Sequence, residues 1–204
     1  YNKSLKYEAA AKEIELRNLR SQLNPHFIFN ALNSIRALVD EDPIKSKSAI
    51  TQLSNILRNS LTVDRQRLVT FAEELQMVRD YLELETIRYE ERLKTKFDID
   101  EKTLDFLIPP LMIQTLVENG IKHGISTLRN GGTIEITSKV DKERLLIQIK
   151  NAGQYEASKE AKSGFGINNT RKRLELIYGE EASFQIYNEN KKTVLTEVVL
   201  PKTL

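Results

Sequence analysis

The 204-residue sequence has no cysteine, which excludes disulfides, thiolate catalysis and cysteine-ligated metals and fits a reducing compartment. Two histidines leave little room for a histidine-based metal site. An excess of one charge is missing too. With 31 basic and 29 acidic residues the net charge is +2, which leaves no electrostatic footprint for direct nucleic-acid binding. No apolar run approaches the roughly 18 residues of a membrane helix, and no stretch reads as a signal peptide. The first residue is Tyr1 rather than methionine, so a piece of a longer protein is expected, with any membrane anchor upstream. What is present, 40% hydrophobic and 29% charged residues, fits one globular domain with a smaller element, or two small domains.

Residues 1–40 predict one long helix, interrupted where Pro25 removes a backbone donor and disfavours helical geometry at Asn24. Its apolar stripe is Leu5, Leu16, Leu19 and Leu23, then Ile28, Leu32, Ile35 and Leu38. The "DEDP" turn at 40–43 leads to a second helix reaching about residue 62, with Ile50, Leu53, Leu57 and Leu61 on one face. Such an antiparallel hairpin buries little alone. Either a second copy completes a four-helix bundle, or the hairpin packs as a helical subdomain on the rest.

The remainder alternates element types. Thr70 and Glu73 have capping-box spacing ahead of a helix to about Tyr89. "KTKFDID" alternates as a strand, and Pro109 and Pro110 suit the entry of a helix that ends at His123. "TIEITSKV" and "RLLIQIKN" read as strands around a "DKE" turn. Residues 152–166 read as a polar loop and 167–178 as a helix, before the strand pair "SFQIYN" and "TVLTEVVLP". The fold class is α+β.

Four segments carry candidate chemistry. In "NPHFIFN", a bend at Pro25 sets off His26, either as a reactive imidazole or as a buried core histidine beside a kink. In "VENGIKHG", Asn119, Lys122 and His123 share a helical face with Glu118 beside them. They form either a polar cluster facing a cleft, with a hard oxygen for Mg²⁺ and a cation for phosphate, or a solvated helix end. Asn151 in "NAGQ" follows a strand and is either a reader of an adenine edge or a turn former. "GFGINN" places Gly164 and Gly166 before a helix N-terminus, where backbone donors suit a phosphate.

Taken in order, these segments resemble the catalytic core of LytS-type sensor histidine kinases. "QLNPHFIFNALNSI" is similar to that family's phosphoacceptor segment and "IPPLMIQTLVENGIKHGI" to its N box. "NAG" and "GFGINNTRKRL" are similar to the G boxes of the GHKL ATPases, and the likeness spans nearly the whole chain. The resemblance implies a dimerising histidine-phosphotransfer hairpin over 1–66 and a Bergerat-type ATP-binding sandwich over 67–204. It implies His26 as phosphoacceptor, Asn119 as Mg²⁺ ligand and Glu118 near the metal's waters. Lys122 and His123 fall at the phosphate side, Asn151 and Gly153 at the adenine end, and Gly164 and Gly166 at the hinge of an ATP lid that contains Lys159 and Lys162. Arg173 fits an ion pair or a ligand contact. Thr196 shares a strand face with Val194 and Val198, pointing toward the base or capping a core. The implied partners are a second copy and a response regulator, often one with a LytTR DNA-binding domain. The implied place is the cytoplasmic side of a membrane protein.

Three positions depart from the pattern. Asn151 stands where the superfamily usually has Asp, and Tyr155 where it has a second glycine. Phe27 follows His26 where many histidine kinases of other families place an acid. Asn30 and Asn33 share the face of His26, and an amide at i+4 can orient a water against a phosphorylated partner, a phosphatase role. The alternatives are a non-catalytic nucleotide-binding dimer that regulates a partner by conformation, and a GHKL clamp ATPase, against which the dedicated "NPHFIFN" segment speaks.

Overall fold

Pro25 opens a helix. Asn24 is extended (φ −74°, ψ 98°) and its side chain accepts from the Phe27 N–H at 3.2 Å, an N-cap that suits proline in the first helical position. The computed structural model describes residues 24–62, 64, 67–156 and 165–202. The leucine stripe at Leu5, Leu16, Leu19 and Leu23 lies outside them, as do Lys159, Lys162 and Gly164. The chain divides into two units, Tyr1–Val63 and Asp64–Leu204.

The first unit is a helical hairpin of α1 (Pro25–Glu41) and α2 (Pro43–Thr62). Its seam is made by Phe27, Ala31 and Ile35 against Ser46, Ala49, Leu53, Ile56 and Ser60. The 3-4-3-4 spacing on α2 is that of a coiled-coil seam, and its small residues let the backbones approach, with Ser46 Oγ donating to the Ile35 carbonyl at 3.4 Å. Leu32 (50% exposed), Ile50 (51%) and Leu61 are turned outward, because Ala31 and Ala49 fit the close seam that those larger side chains do not.

The second unit begins with β1 (Val69–Thr70), whose Thr70 and Glu73 form the capping box of α3 (Phe71–Tyr89). There follow β2 (Leu93–Ile99), β3 (Leu107–Ile108), α4 (Met112–His123), β4 (Gly132–Asp141), β5 (Arg144–Ala152), α5 (Phe165–Tyr178), β6 (Ser183–Asn190) and β7 (Thr193–Leu200). The five-stranded sheet runs β2-β4-β5-β7-β6, with β2 and β4 parallel and the other pairs antiparallel; β1 and β3 form a separate antiparallel ribbon. Burial alternates along β4 and β5, so one sheet face meets the helices and the other meets water. No helix among the described residues is long and apolar enough to cross a membrane.

Helix α4 starts later than its prolines predict. Leu111 takes a positive φ of 62° and the helix begins at Met112. The buried Glu74 of α3 caps it, accepting from the N–H groups of Leu111 (2.5 Å) and Ile113 (3.2 Å). Burial pushes the Glu74 carboxyl up to about 7, against the pull of those N–H groups and of Arg173. Arg173 of α5 donates to the Pro110 carbonyl at 2.7 Å, so α3, α4 and α5 are tied at one point.

Candidate nucleotide-binding cleft

The inward stripe of β5 is Leu145, Ile147 and Ile149, and it ends on a polar residue, Asn151. Asn151 is 6% exposed; its Nδ2 donates to the Ala152 carbonyl at 3.1 Å, and its Oδ1 has no donor among the described residues. Thr196 stands opposite Ile149 in the β5–β7 register, is equally buried, and its hydroxyl makes no hydrogen bond among the described residues. Leaving such groups buried and unpaired costs about 1–3 kcal/mol each, so their position implies a polar ligand. Both line a cleft of about 700 Å³ whose apolar walls come from Val194 and Ile186 of the sheet, Leu116 of α4 and Ile167 of α5. Apolar walls with a few polar atoms on one edge suit a flat heteroaromatic ring.

Glycines let α4 lie on the end of β5. A Cβ on Gly120 would stand 3.2 Å from Asn151 Oδ1, and one on Gly124 would stand 2.2 Å from the Ala152 carbonyl oxygen. Gly153 has φ 132°, which an L side chain resists, and donates to the Lys192 carbonyl at 2.9 Å. Beyond it the backbone is tied to the β6–β7 hairpin: Gln154 donates to the Lys191 carbonyl (2.9 Å), and Tyr155 exchanges two hydrogen bonds with the Asn188 amide (2.7 and 3.0 Å).

At the other end of the cleft stand Asn119 and His123. Asn119 donates through Nδ2 to the Thr115 carbonyl at 2.9 Å, which leaves Oδ1 as the available hard oxygen. The His123 imidazole is held below its usual range, first by burial and then by the neighbouring Lys122 charge, which favours the neutral ring. Gly166 at the start of α5 is within reach of the same spot: a Cβ there would lie 3.0 Å from Thr115 Cγ2 and 3.4 Å from Asn119 Nδ2.

The histidine kinase family model matches residues 14–93. Sensor protein LytS of Staphylococcus saprophyticus is 34% identical over 197 residues, covering 91% of this chain and 33% of its own. The chain belongs to the LytS-type sensor histidine kinase family. Sensor protein LytS of Enterococcus faecalis is 32% identical over 87% of this chain. The sensor histidine kinase/phosphatase LytS of Staphylococcus aureus is 34% identical over 89%. The chain spans about a third of the length of these relatives. Among solved structures, the catalytic domain of histidine kinase ThkA covers 67% of this chain with a TM-score of 0.52 at 21% identity. The Acinetobacter baumannii histidine kinase AdeS covers 93%, also with a TM-score of 0.52, at 14% identity. These two likenesses show the fold: helices followed by the mixed-sheet sandwich of histidine kinase catalytic domains.

Not every residue of the LytS-like N box faces the cleft. Glu118 does not line it among the described residues. Its carboxylate accepts from Gln114 Nε2 at 2.9 Å, burial raises its pKa, and its charge bears on Tyr81 and Glu85 of α3. Lys122 is exposed and also lies off the cleft lining, so of the expected polar face only Asn119 and His123 meet there. Gly124, Lys191 and Lys192 were not anticipated. A glycine directly after the last polar residue of α4 was a legible signal for the first; the two lysines of the β6–β7 turn carried none, since only strand pairing brings them alongside residues 153 and 154.

The phosphoacceptor-like segment lies in the other unit. His26 is exposed in the first turn of α1, while Phe27 is buried in the hairpin seam, so the histidine is not a core residue. The Asn30 amide nitrogen lies 3.1 Å from Nδ1 and 3.4 Å from Nε2. An atom almost equidistant from both ring nitrogens sits over the ring, not in its plane, so Asn30 leaves the in-plane direction of each nitrogen open. Asn33 is exposed one turn further on.

Proposed function

We propose that this chain is the catalytic core of a sensor histidine kinase that phosphorylates its own His26 from ATP and passes the phosphoryl group to an aspartate of a response regulator. The observation that carries the reading is the pair of buried, unpartnered atoms, Asn151 Oδ1 and Thr196 Oγ1, in an apolar cleft that also holds Asn119. They suit the polar edge of adenine, and Asn119 with His123 suits the phosphate end. Among the described residues no group of three or more acidic or histidine side chains forms a metal cage. Asn119 Oδ1 would hold a Mg²⁺, an ion that keeps waters and needs few protein ligands. When bound it neutralises phosphate charge.

The chain's own contribution is positioning. A ring nitrogen of His26 supplies an in-plane lone pair to the γ-phosphorus, the N–P bond forms as the P–O bond to the ADP leaving group breaks, and the proton on the other ring nitrogen of this exposed residue passes to water. The imidazole lone pair needs no adjacent acid, so Phe27 in that place does not block the step. The phosphorylated ring then lies at a helix N-terminus, where the dipole favours negative charge. Gly153 lies against Gly124 and Gly166 against Asn119, and Glu118 acts through the α3–α4 packing that holds Asn119. Asn30 serves a phosphatase step on the regulator by orienting a water, in line with the kinase/phosphatase name of the Staphylococcus aureus relative. A homodimer covers the outward Leu32 and Ile50, the regulator carries a LytTR domain, and an upstream portion ties the chain to the cytoplasmic face of a membrane.

The test is incubation with γ-labelled ATP and Mg²⁺. Acid-labile, alkali-stable label that is lost in His26→Gln is the expected result. ATP binding without label supports the non-catalytic dimer instead. Asn30→Ala is expected to label normally and to lose regulator dephosphorylation; unchanged dephosphorylation removes the phosphatase role.

A further inference from the structure

Tyr155 stands where the related G box has a glycine, and the phosphoryl transfer described above makes no use of it. Its neighbours Gln154 and Glu156 are exposed, whereas Tyr155 is half-buried. One side chain holds its backbone. Asn188 Oδ1 accepts from the Tyr155 N–H at 2.7 Å, and Asn188 Nδ2 donates to the Tyr155 carbonyl at 3.0 Å. A side-chain amide carries the acceptor and the donor that match both backbone groups of one residue, so the clamp is specified by the residue at position 188. Strand β6 delivers it. Ile186 and Asn188 share a face, opposite Thr196 and Val194 of β7, and the ladder then slips between Asn188 and Asn190. A bulge of this kind re-aims a side chain at a strand end. Glu189, the residue between them, pairs with Lys150 at 2.8 Å. Tyr155, Ile186, Val194 and Thr196 all line the cleft; Asn188 is not among the described residues that do.

We propose that the Tyr155 ring covers a face of the bound base, and that Asn188 is the positioning residue that holds the ring in place. This deepens the nucleotide reading above and rests on it. Asn151 and Thr196 meet the base at its polar edge, which leaves its flat faces to the walls. Those walls are largely aliphatic, and among the described lining residues only Tyr155 and His123 carry an aromatic ring, the latter toward the phosphate end. A phenol ring stacks on a heteroaromatic base whatever hydrogen bonds the base makes at its edge. The gain depends on the ring being in place beforehand, because a wall ordered only on binding loses affinity to the cost of ordering it. Tyr155 lies three residues beyond the end of β5, where the sheet no longer holds the chain. Asn188 fixes both of its backbone groups there. The amide therefore acts on the ligand through Tyr155 and touches nothing of the ligand itself.

The experiment is calorimetric titration of the whole chain with Mg²⁺ and ATP, in wild type, Tyr155→Gly, Tyr155→Phe, Asn188→Ala and the double variant Tyr155→Gly with Asn188→Ala. Tyr155→Gly is expected to weaken binding about fivefold or more, the lower end for one base on one aromatic ring. Tyr155→Phe keeps the ring and most of the affinity. Asn188→Ala is expected to weaken binding about threefold or more on its own and to add no loss in the Tyr155→Gly background, because the ring it positions is already gone. A purely structural role for Asn188 would give the same loss in both backgrounds. The chain has no tryptophan, so tyrosine emission can be read directly. Its change on adding ATP is expected to shrink in Tyr155→Phe although binding is kept. Binding by Tyr155→Gly within about twofold of wild type would overturn the proposal, as would equal losses from Asn188→Ala in the two backgrounds or an undiminished emission change in Tyr155→Phe. If the glycine variant does not fold, the emission change still decides. A folded wild type that binds no ATP sinks the nucleotide reading itself, an outcome distinct from a wild type that binds without using the ring.

Discussion

The last residue before the loop that follows α4 touches the end of β5 backbone to backbone: a Cβ on Gly124 would stand 2.2 Å from the carbonyl oxygen of Ala152 and 2.6 Å from Asn151 Nδ2. The same carbonyl holds the Asn151 amide, so helix, strand and base-reading side chain share one point of contact.

Gly124→Ala is therefore expected to separate α4 from β5. The obstructing atoms are mostly backbone and cannot swing aside, so a cost of about 1–3 kcal/mol in unfolding free energy is expected, with a loss of nucleotide affinity exceeding the loss of stability. Urea melts and nucleotide titration on the same preparation check this; unchanged affinity would show that the contact does not shape the cleft.

Asn24 caps the turn that carries His26. Asn24→Ala is expected to fray that turn at a cost of about 1 kcal/mol and to slow labelling of His26, while Asn24→Asp, which keeps the acceptor, restores both. Amide exchange over residues 25–30 reads the fraying directly. Equal exchange in the alanine variant removes the cap from the account.

Glu85 is buried between helices, and desolvation, opposed by Arg88 and reinforced by Glu118, raises its carboxyl from 4.5 to about 7. The folded chain thus holds a proton that the unfolded chain releases near 4.5. Its stabilising contribution is present below that pH and is lost as pH rises through about 7, with a slope of up to ~1.4 kcal/mol per unit. Glu74 adds a slope of the same sign. Glu85→Gln is expected to flatten the decline of stability between pH 5.5 and 7.5 by about one proton; parallel curves for the two proteins contradict the assignment.

The outward Leu32 and Ile50 have no cover within the hairpin, each being about half exposed. Leu32→Glu with Ile50→Glu is expected to convert a dimer to a monomer in sedimentation, leaving nucleotide binding in the second unit intact. A double variant that stays dimeric places the interface elsewhere.

Much of the architecture was legible in the residues because it depends on neighbours in sequence. The Thr70–Glu73 capping box, the loss of helical geometry at Asn24 before Pro25 and the strands around the "DKE" turn are signals between near neighbours, and each formed as read. The seam within the hairpin was not legible in the apolar stripes. Periodicity located the apolar stripes, but Ala31, Ser46 and Ala49 made the tight seam and left the larger leucine and isoleucine side chains outside.

The sequence by itself determined the order of the main helices and strands, the capping box of α3, the motif segments and their family. Tertiary structure alone decided that Asn119, His123, Asn151 and Thr196 meet in one cleft while Lys122 stays outside and Glu118 turns toward α3. The physical reason is that helical spacing specifies which residues share an arc but not how that arc is rotated against a sheet. That rotation comes from the parallel β2–β4 pairing, the buried Glu74 cap at the start of α4 and the glycine contacts at its end, all of them pairings between residues far apart in the chain.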